Sequence, residues 1–224
     1  MEIKSVILQS NHIEKMKQFY VERFGFPLIN EDENSFRIVV GTSELEFTSQ
    51  QVEGNPYYHF AFNIPSNLFA EAKEWVKERV ALNIDFDNDE IYFSNFSAYS
   101  FYFYDPAGNI VELIARQSLA EVREGSFSIE SIMNISEIGL TVDDAIDTCN
   151  RLMEIGIHER EHGDLTSTSL NFMGEISKGV FIIVNQPGRR WIFSDKKSAI
   201  YPLEITTTNE RRIVVNSDRQ LEIF

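Results

Sequence analysis

Cysteine, histidine and positive charge are all scarce in this chain of 224 residues. The single cysteine, Cys149, excludes an internal disulfide framework and a cysteine-based metal cluster. It falls on the apolar stripe of a predicted helix, which reads as core filling rather than as a nucleophile. No apolar run approaches the ~20 residues that a membrane-spanning helix needs. The first residues, MEIKSVILQSNH, lack the basic and apolar layout of a secretion signal, so a cytoplasmic location is expected. Lys and Arg total 20 against 35 Asp and Glu, a formal net charge of −15. Such a surface repels nucleic acid and anionic membranes, and neither is expected as a partner. The acidic residues are scattered rather than blocked, which is the pattern of a solvated surface.

Aromatic residues are plentiful, with 18 Phe, and the length is ample for a folded core. Three segments carry helical stripes. HIEKMKQFYVERFG places Ile13, Met16, Phe19, Tyr20 and Phe24 on one face, and Gly25 stops it. SNLFAEAKEWVKERVALN is capped by Ser66 or Asn67 and aligns Leu68, Ala72, Trp75, Val76 and Val80. DDAIDTCNRLMEIG turns Ile146, Cys149, Leu152 and Met153 inward and ends at Gly156. Each helix follows a short strand and precedes several more. A strand–helix–three-strand unit therefore recurs, and copies of this kind bury a face against one another. Beyond residue 188 the chain shows strand patterning in AIYPLEITT, RRIVVN and QLEIF without a helical stripe, as in a fourth unit that has lost its helix. The expected division is 1–116 for two paired units, 117–132 for a linker, and 133–224 for a third unit with a strand-only fourth.

The stretch FYFYDPAGNIVEL, 101–113, is the most informative. Asp105, Pro106 and Gly108 form a tight turn between two strands, and the turn fixes the register of the second strand, NIVEL. Alternation then sends Ile110, Glu112 and Ile114 to one face and Val111 and Leu113 to the other. A carboxylate inside a curled sheet needs a partner, because burying it alone is costly. A divalent metal is one such partner and a basic residue is another.

With HIEKMKQFYVERFGF after a short strand and YYHFAFNIP opening the second unit, this stretch resembles the vicinal oxygen chelate superfamily. That superfamily includes glyoxalase I, extradiol dioxygenases, and fosfomycin- and bleomycin-resistance proteins. The resemblance spans 1–116, extends more faintly over 133–187, and implies an α+β fold. Tandem βαβββ units would form a curled, half-open, barrel-like sheet, with a partial second pair at the C-terminus. It also implies metal ligands on the first and last strands of each unit. Carried over one at a time, these positions fall on His59 and Glu112 in the second unit, and on Ser5 and Glu46 in the first. Ser5 is a poor ligand, so the implied set is His59, Glu112 and Glu46, with Glu46 also a candidate catalytic base. Such a set suits manganese, iron, nickel, cobalt or zinc. Ser5, Tyr57, Tyr102 and Tyr104 are the candidate pocket residues. Glu137 holds the first-strand position of the third unit, but that unit's last strand, GVFIIVN, has no carboxylate, so the third unit reads as metal-free. HEREH, 158–162, reads as a solvated loop.

Each ligand candidate has a plainer reading: Glu46 as an outward charge on an edge strand, His59 as a hydrogen-bonded histidine with no metal, Glu112 as the partner of a basic residue or the acceptor of a tyrosine hydrogen bond. The function implied by the resemblance is a glyoxalase-like, metal-dependent lyase or isomerase acting on a small oxygen-chelating molecule, as a monomer or homodimer. The alternative is a non-catalytic binder of the bleomycin-resistance type. Extradiol ring cleavage is not expected, because it needs two histidines and one carboxylate on iron.

Overall fold

The computed structural model describes residues 1–117, 119 and 122–224. Of the expected linker 117–132, Ser118, Ala120 and Glu121 lie outside the described residues. The first unit comprises β1 (Ile3–Gln9), α1 (Ile13–Lys17), β2 (Leu28–Glu31), β3 (Ser35–Val40) and β4 (Ser43–Thr48). The second comprises β5 (His59–Asn63), α2 (Phe69–Lys77), β6 (Ile91–Phe93), β7 (Ala98–Tyr104) and β8 (Ile110–Arg116). The third comprises β9 (Asn134–Thr141), α3 (Ala145–Glu154), β10 (Asn171–Glu175) and β11 (Val180–Asn185). Three strands without a helix close the chain: β12 (Leu203–Thr207), β13 (Arg212–Val215) and β14 (Leu221–Ile223).

These strands form two seven-stranded sheets, ordered β14-β13-β12-β1-β4-β3-β2 and β10-β11-β9-β5-β8-β7-β6. The second curls into a half-barrel, so the fold is the expected α+β arrangement of βαβββ units. Within each unit the first strand lies parallel to the last: β1 on β4, β5 on β8, β9 on β11. The partnership between units differs from the sequence expectation. The first unit does not share a sheet with the second. It joins the C-terminal strands through an antiparallel β1–β12 pair, while the second joins the third through β5–β9.

Burial explains this choice. β3, β4 and β12 alternate buried and half-exposed residues, so their sheet has one apolar face and one wet face. β5, β8 and β11 are buried at every position, so their sheet is covered on both faces. Strands of like pattern pair, because a mixed sheet would strand either charges inside or apolar side chains outside. The apolar faces of the two sheets meet in a common core, where the rings of Phe47 and Phe60 lie 6.4 Å apart and those of Phe26 and Phe62 5.7 Å apart.

The first helix also departs from its prediction. After Lys17 it widens into a π-helical turn over Gln18–Arg23, closed by Phe24 N–H donating to Phe19 O at 3.0 Å. The wide turn brings the adjacent Phe19 and Tyr20 both inward. Tyr20 Oη then donates to Asp105 Oδ2 at 2.9 Å, tying the first unit to the turn that aims Glu112. In that turn Asp105 Oδ1 accepts Ala107 N–H and Asn109 N–H, both at 3.0 Å. Gly108 takes φ +81°, a conformation that L side chains rarely adopt. Among the described residues no helix is long and apolar enough to cross a membrane.

Candidate metal centre

The concave face of the half-barrel gathers three ligand-type side chains. Ala61 of β5 stands in register between Glu112 of β8 and Glu137 of β9. Its methyl group leaves room for the two carboxylates to approach each other. His59 lies two residues before Ala61 and therefore on the same face. One ligand atom from each of His59, Glu112 and Glu137 lies within 4.8 Å of the others. His59 and Glu137 are 5% exposed and Glu112 is 2% exposed.

The histidine is oriented for ligation. The geometry suits Nδ1–H donating to the carbonyl of Ile110 at 3.1 Å, which leaves the Nε2 lone pair 3.5 Å from Glu112 Oε2. Burial holds the imidazole below its ordinary value of 6.5, although Glu137 acts in the opposite direction. Burial, and next the Glu137 carboxylate, push Glu112 up to about 8, opposed by the Ser100 hydroxyl, Arg116 and the Tyr102 phenol. Tyr102 pairs in register with Glu112 and is raised well above 10.0, chiefly by burial and then by Glu112, so it stays a protonated donor. Glu137 is also held from outside the cluster. Arg116, 2% exposed at the end of β8, donates through Nη2 to Glu137 Oε1 and to Ser136 Oγ.

Above the cluster lies a cavity of about 310 Å³. Its walls are apolar and aromatic, including Phe93, Phe96, Leu170, Phe172 and Trp191, and Arg189 and Arg190 also line it. Trp191 and Phe193 belong to the connection from β11 to β12. The Trp191 ring lies 4.8 Å from that of His59, and Phe193 stacks on Tyr102 at 4.8 Å and 12°. Gly139 makes room for the indole, since a Cβ there would lie 3.0 Å from Trp191 Cη2. The connection is pinned by Tyr57 Oη donating to Lys197 O at 2.7 Å and by Lys196 Nζ donating to Gly108 O at 2.7 Å.

The donor set fits a divalent cation. A neutral imidazole nitrogen and two carboxyl groups converge in a buried space, the donor chemistry of a divalent-cation site, and a bound cation would favour the ionised form of Glu112 that burial alone disfavours. The mixed nitrogen and oxygen ligands suit manganese, iron, cobalt, nickel or zinc.

His59 and Glu112 thus lie together as their strand positions imply, but Glu46 does not join them. It sits on β4 in the other sheet, where Arg37 Nε donates to its Oε2 at 2.8 Å while Arg37 Nη1 binds Glu44 at 2.9 Å. Glu44 and Glu46 are two apart on the wet face, which is the outward-charge reading, and neither is near the cleft to act as a base. Ser5 is half-buried on β1 between Glu44 and Thr206, in the other sheet and outside the cavity lining. Of the pocket tyrosines, Tyr102 lines the cavity. Tyr104 bonds instead to the covering connection, 2.8 Å from Ser194 Oγ. Tyr57 lines a narrow neighbouring space behind His59 and Trp191. Glu137, from the unit read as metal-free, is the third ligand-type side chain of the cluster. Its signal is the same first-strand register that marks His59; the missing carboxylate on β11 hides it. Arg116 is legible too, since alternation from Glu112 through Ile114 brings it to the same face.

The chain belongs to the glyoxalase, bleomycin resistance protein and dioxygenase superfamily, whose model matches residues 2–113, half of the chain. A second model, that of the toxoflavin-degrading enzyme, matches residues 135–189. Among solved structures, a Bacillus subtilis protein provisionally assigned as a dioxygenase is 16% identical, covers 82% of this chain and 63% of its own, and superposes with a TM-score of 0.58. That likeness is one of fold. A lactoylglutathione lyase from Agrobacterium tumefaciens is 21% identical over 50% of this chain and 92% of its own, with a TM-score of 0.42. An integron cassette protein from the Halifax Harbour sewage outfall metagenome is 21% identical over 50% of this chain and 97% of its own, with a TM-score of 0.45. No curated protein matches the chain.

Proposed function

We propose that the protein is a metal-dependent enzyme acting on a small molecule that chelates through adjacent oxygens, with lyase or isomerase chemistry, working in the cytoplasm as a monomer or homodimer. The observation that carries this reading is the buried trio of His59, Glu112 and Glu137 facing a largely apolar cavity. His59, Glu112 and Glu137 would hold the metal, leaving open positions for a ligand. When bound, the metal would supply Lewis-acid polarisation of a substrate oxygen. The remaining work falls to the chain's own groups. Tyr102 keeps its proton and offers it as a hydrogen bond at the same face. Trp191 and Phe193 exclude water from above.

The match of residues 135–189 to the toxoflavin-degrading enzyme model favours a narrower version, in which the reaction degrades toxoflavin or a molecule like it. The flat aromatic walls of the cavity suit such a substrate. The test is elemental analysis of the purified protein, followed by turnover assays on toxoflavin and on a glyoxalase substrate. Near-stoichiometric metal that disappears in Glu137→Gln, with turnover lost alongside, is the expected result. A metal-free protein that binds a cationic aromatic drug without converting it would overturn the enzyme reading and favour the binding-module reading.

A further inference from the structure

Arg116 is a buried cation set behind the cluster, bonded to Glu137 and not among the residues that line the cavity. Its side chain runs past Gly179, where a Cβ would come within 2.7 Å of Arg116 Cδ, and Gly179 takes φ +61°. The guanidinium carbon lies 5.3 Å from the ring centre of Phe96 and 5.2 Å from that of Phe181. Nη2 binds Glu137 and Ser136, Ser136 Oγ in turn donates to Gly179 O at 2.9 Å, and Nε is buried without a hydrogen-bond partner. Arg116 therefore occupies one oxygen of Glu137 and leaves the other free for the cluster.

The charges near the cavity then have a definite sum. Two carboxylates and one guanidinium amount to one negative charge, and a divalent cation turns this into one positive charge. In a buried cluster beside largely aromatic and apolar walls that surplus is screened less than it would be in bulk water. Of the cavity-lining arginines Arg190 is paired with Asp85, and Arg189 is solvent-exposed, where water screens its charge, so the buried sum at the cluster stands and the mouth adds no compensating anion. Resting on the metal-dependent reading of the site, we propose that Arg116 is a positioning residue that fixes Glu137 and sets the charge of the centre, so that the substrate binds as a monoanionic chelator.

Picolinate and picolinamide test this as probes, because they share shape and chelate geometry and differ by one negative charge. The metal-loaded protein is titrated with each by calorimetry, after its metal content has been measured. The preference of the wild type for picolinate is expected to exceed that of the free aqueous metal ion. It should fall at least tenfold in Arg116→Met and be largely kept in Arg116→Lys. Should Arg116→Met fail to fold, Arg116→Gln keeps a donor for Glu137 and removes the charge. A wild type no more charge-selective than the aqueous ion, or a preference unchanged in the neutral variants, would overturn the proposal. A wild type without metal would remove the metal reading itself, and the elemental analysis shows that before any probe is added.

Discussion

Glu112 decides the chemistry at the scale of one residue. Its folded value of about 8 exceeds the ordinary 4.5, so without metal the native state keeps a proton that the unfolded chain has released. The metal-free protein should therefore lose stability as pH rises from about 4.5 to about 8, because the unfolded state binds fewer protons across that window. Chemical denaturation at a series of pH values reads this slope. Metal ligation has the opposite dependence, since the bound form needs the carboxylate. Affinity should climb about tenfold per pH unit up to the raised value and then level off, with one proton released per metal bound. Glu112→Gln should abolish that release and the metal together while the fold persists. A single imidazole in the cluster also predicts that iron-loaded protein will not cleave catechol, because that reaction uses two histidines and one carboxylate. Measured ring cleavage would contradict this.

Individual elements show which parts of the structure are legible in the sequence. The strand–helix–strand repeat is, because stripes of period 3.6 and alternation of period two are local properties of the chain. The turn at Asp105 is, because Gly108 and the Asx contacts are local as well. Pairing between units is not, because any first strand can in principle lie beside any other. A clue is present nonetheless: SELEFT alternates charge with apolar residues, while HFAFN and VFIIVN do not, and only the latter can be covered on both faces. Position in the repeat, taken without that clue, misplaces Glu46 and passes over Glu137. Two variants test the corrected assignment. Glu46→Gln breaks a half-exposed pair with Arg37 and should cost under ~1 kcal/mol with metal content unchanged. Ser5→His, which would restore a ligand if the first unit faced the cleft, should leave metal affinity as it is. Elemental analysis of both variants checks the point, and a gain in metal affinity for Ser5→His would return the first unit to the site.

For the whole molecule, the candidate ligand trio lies across a seam. His59 and Glu112 come from the second unit and Glu137 from the third, joined through β5 and β9, whose register shifts between Ala61 and Phe62. A cation bound there would hold the two units at the point where their ladder is irregular. It would also relieve the repulsion between two buried carboxylates. A group that binds only the native state stabilises it by about 2.7 kcal/mol at a hundredfold excess over Kd. Chelator treatment should therefore lower Tm, and restored metal should raise it again. The same treatment should leave Tm unchanged in Glu137→Gln, which cannot gain from the metal, and should shift Glu46→Gln as it shifts the wild type. Calorimetric scans of the three proteins, with and without chelator, distinguish a cation bound across the seam from one bound anywhere else on this acidic surface. A Glu137→Gln variant whose Tm still falls on chelation would place the stabilising ion outside the half-barrel.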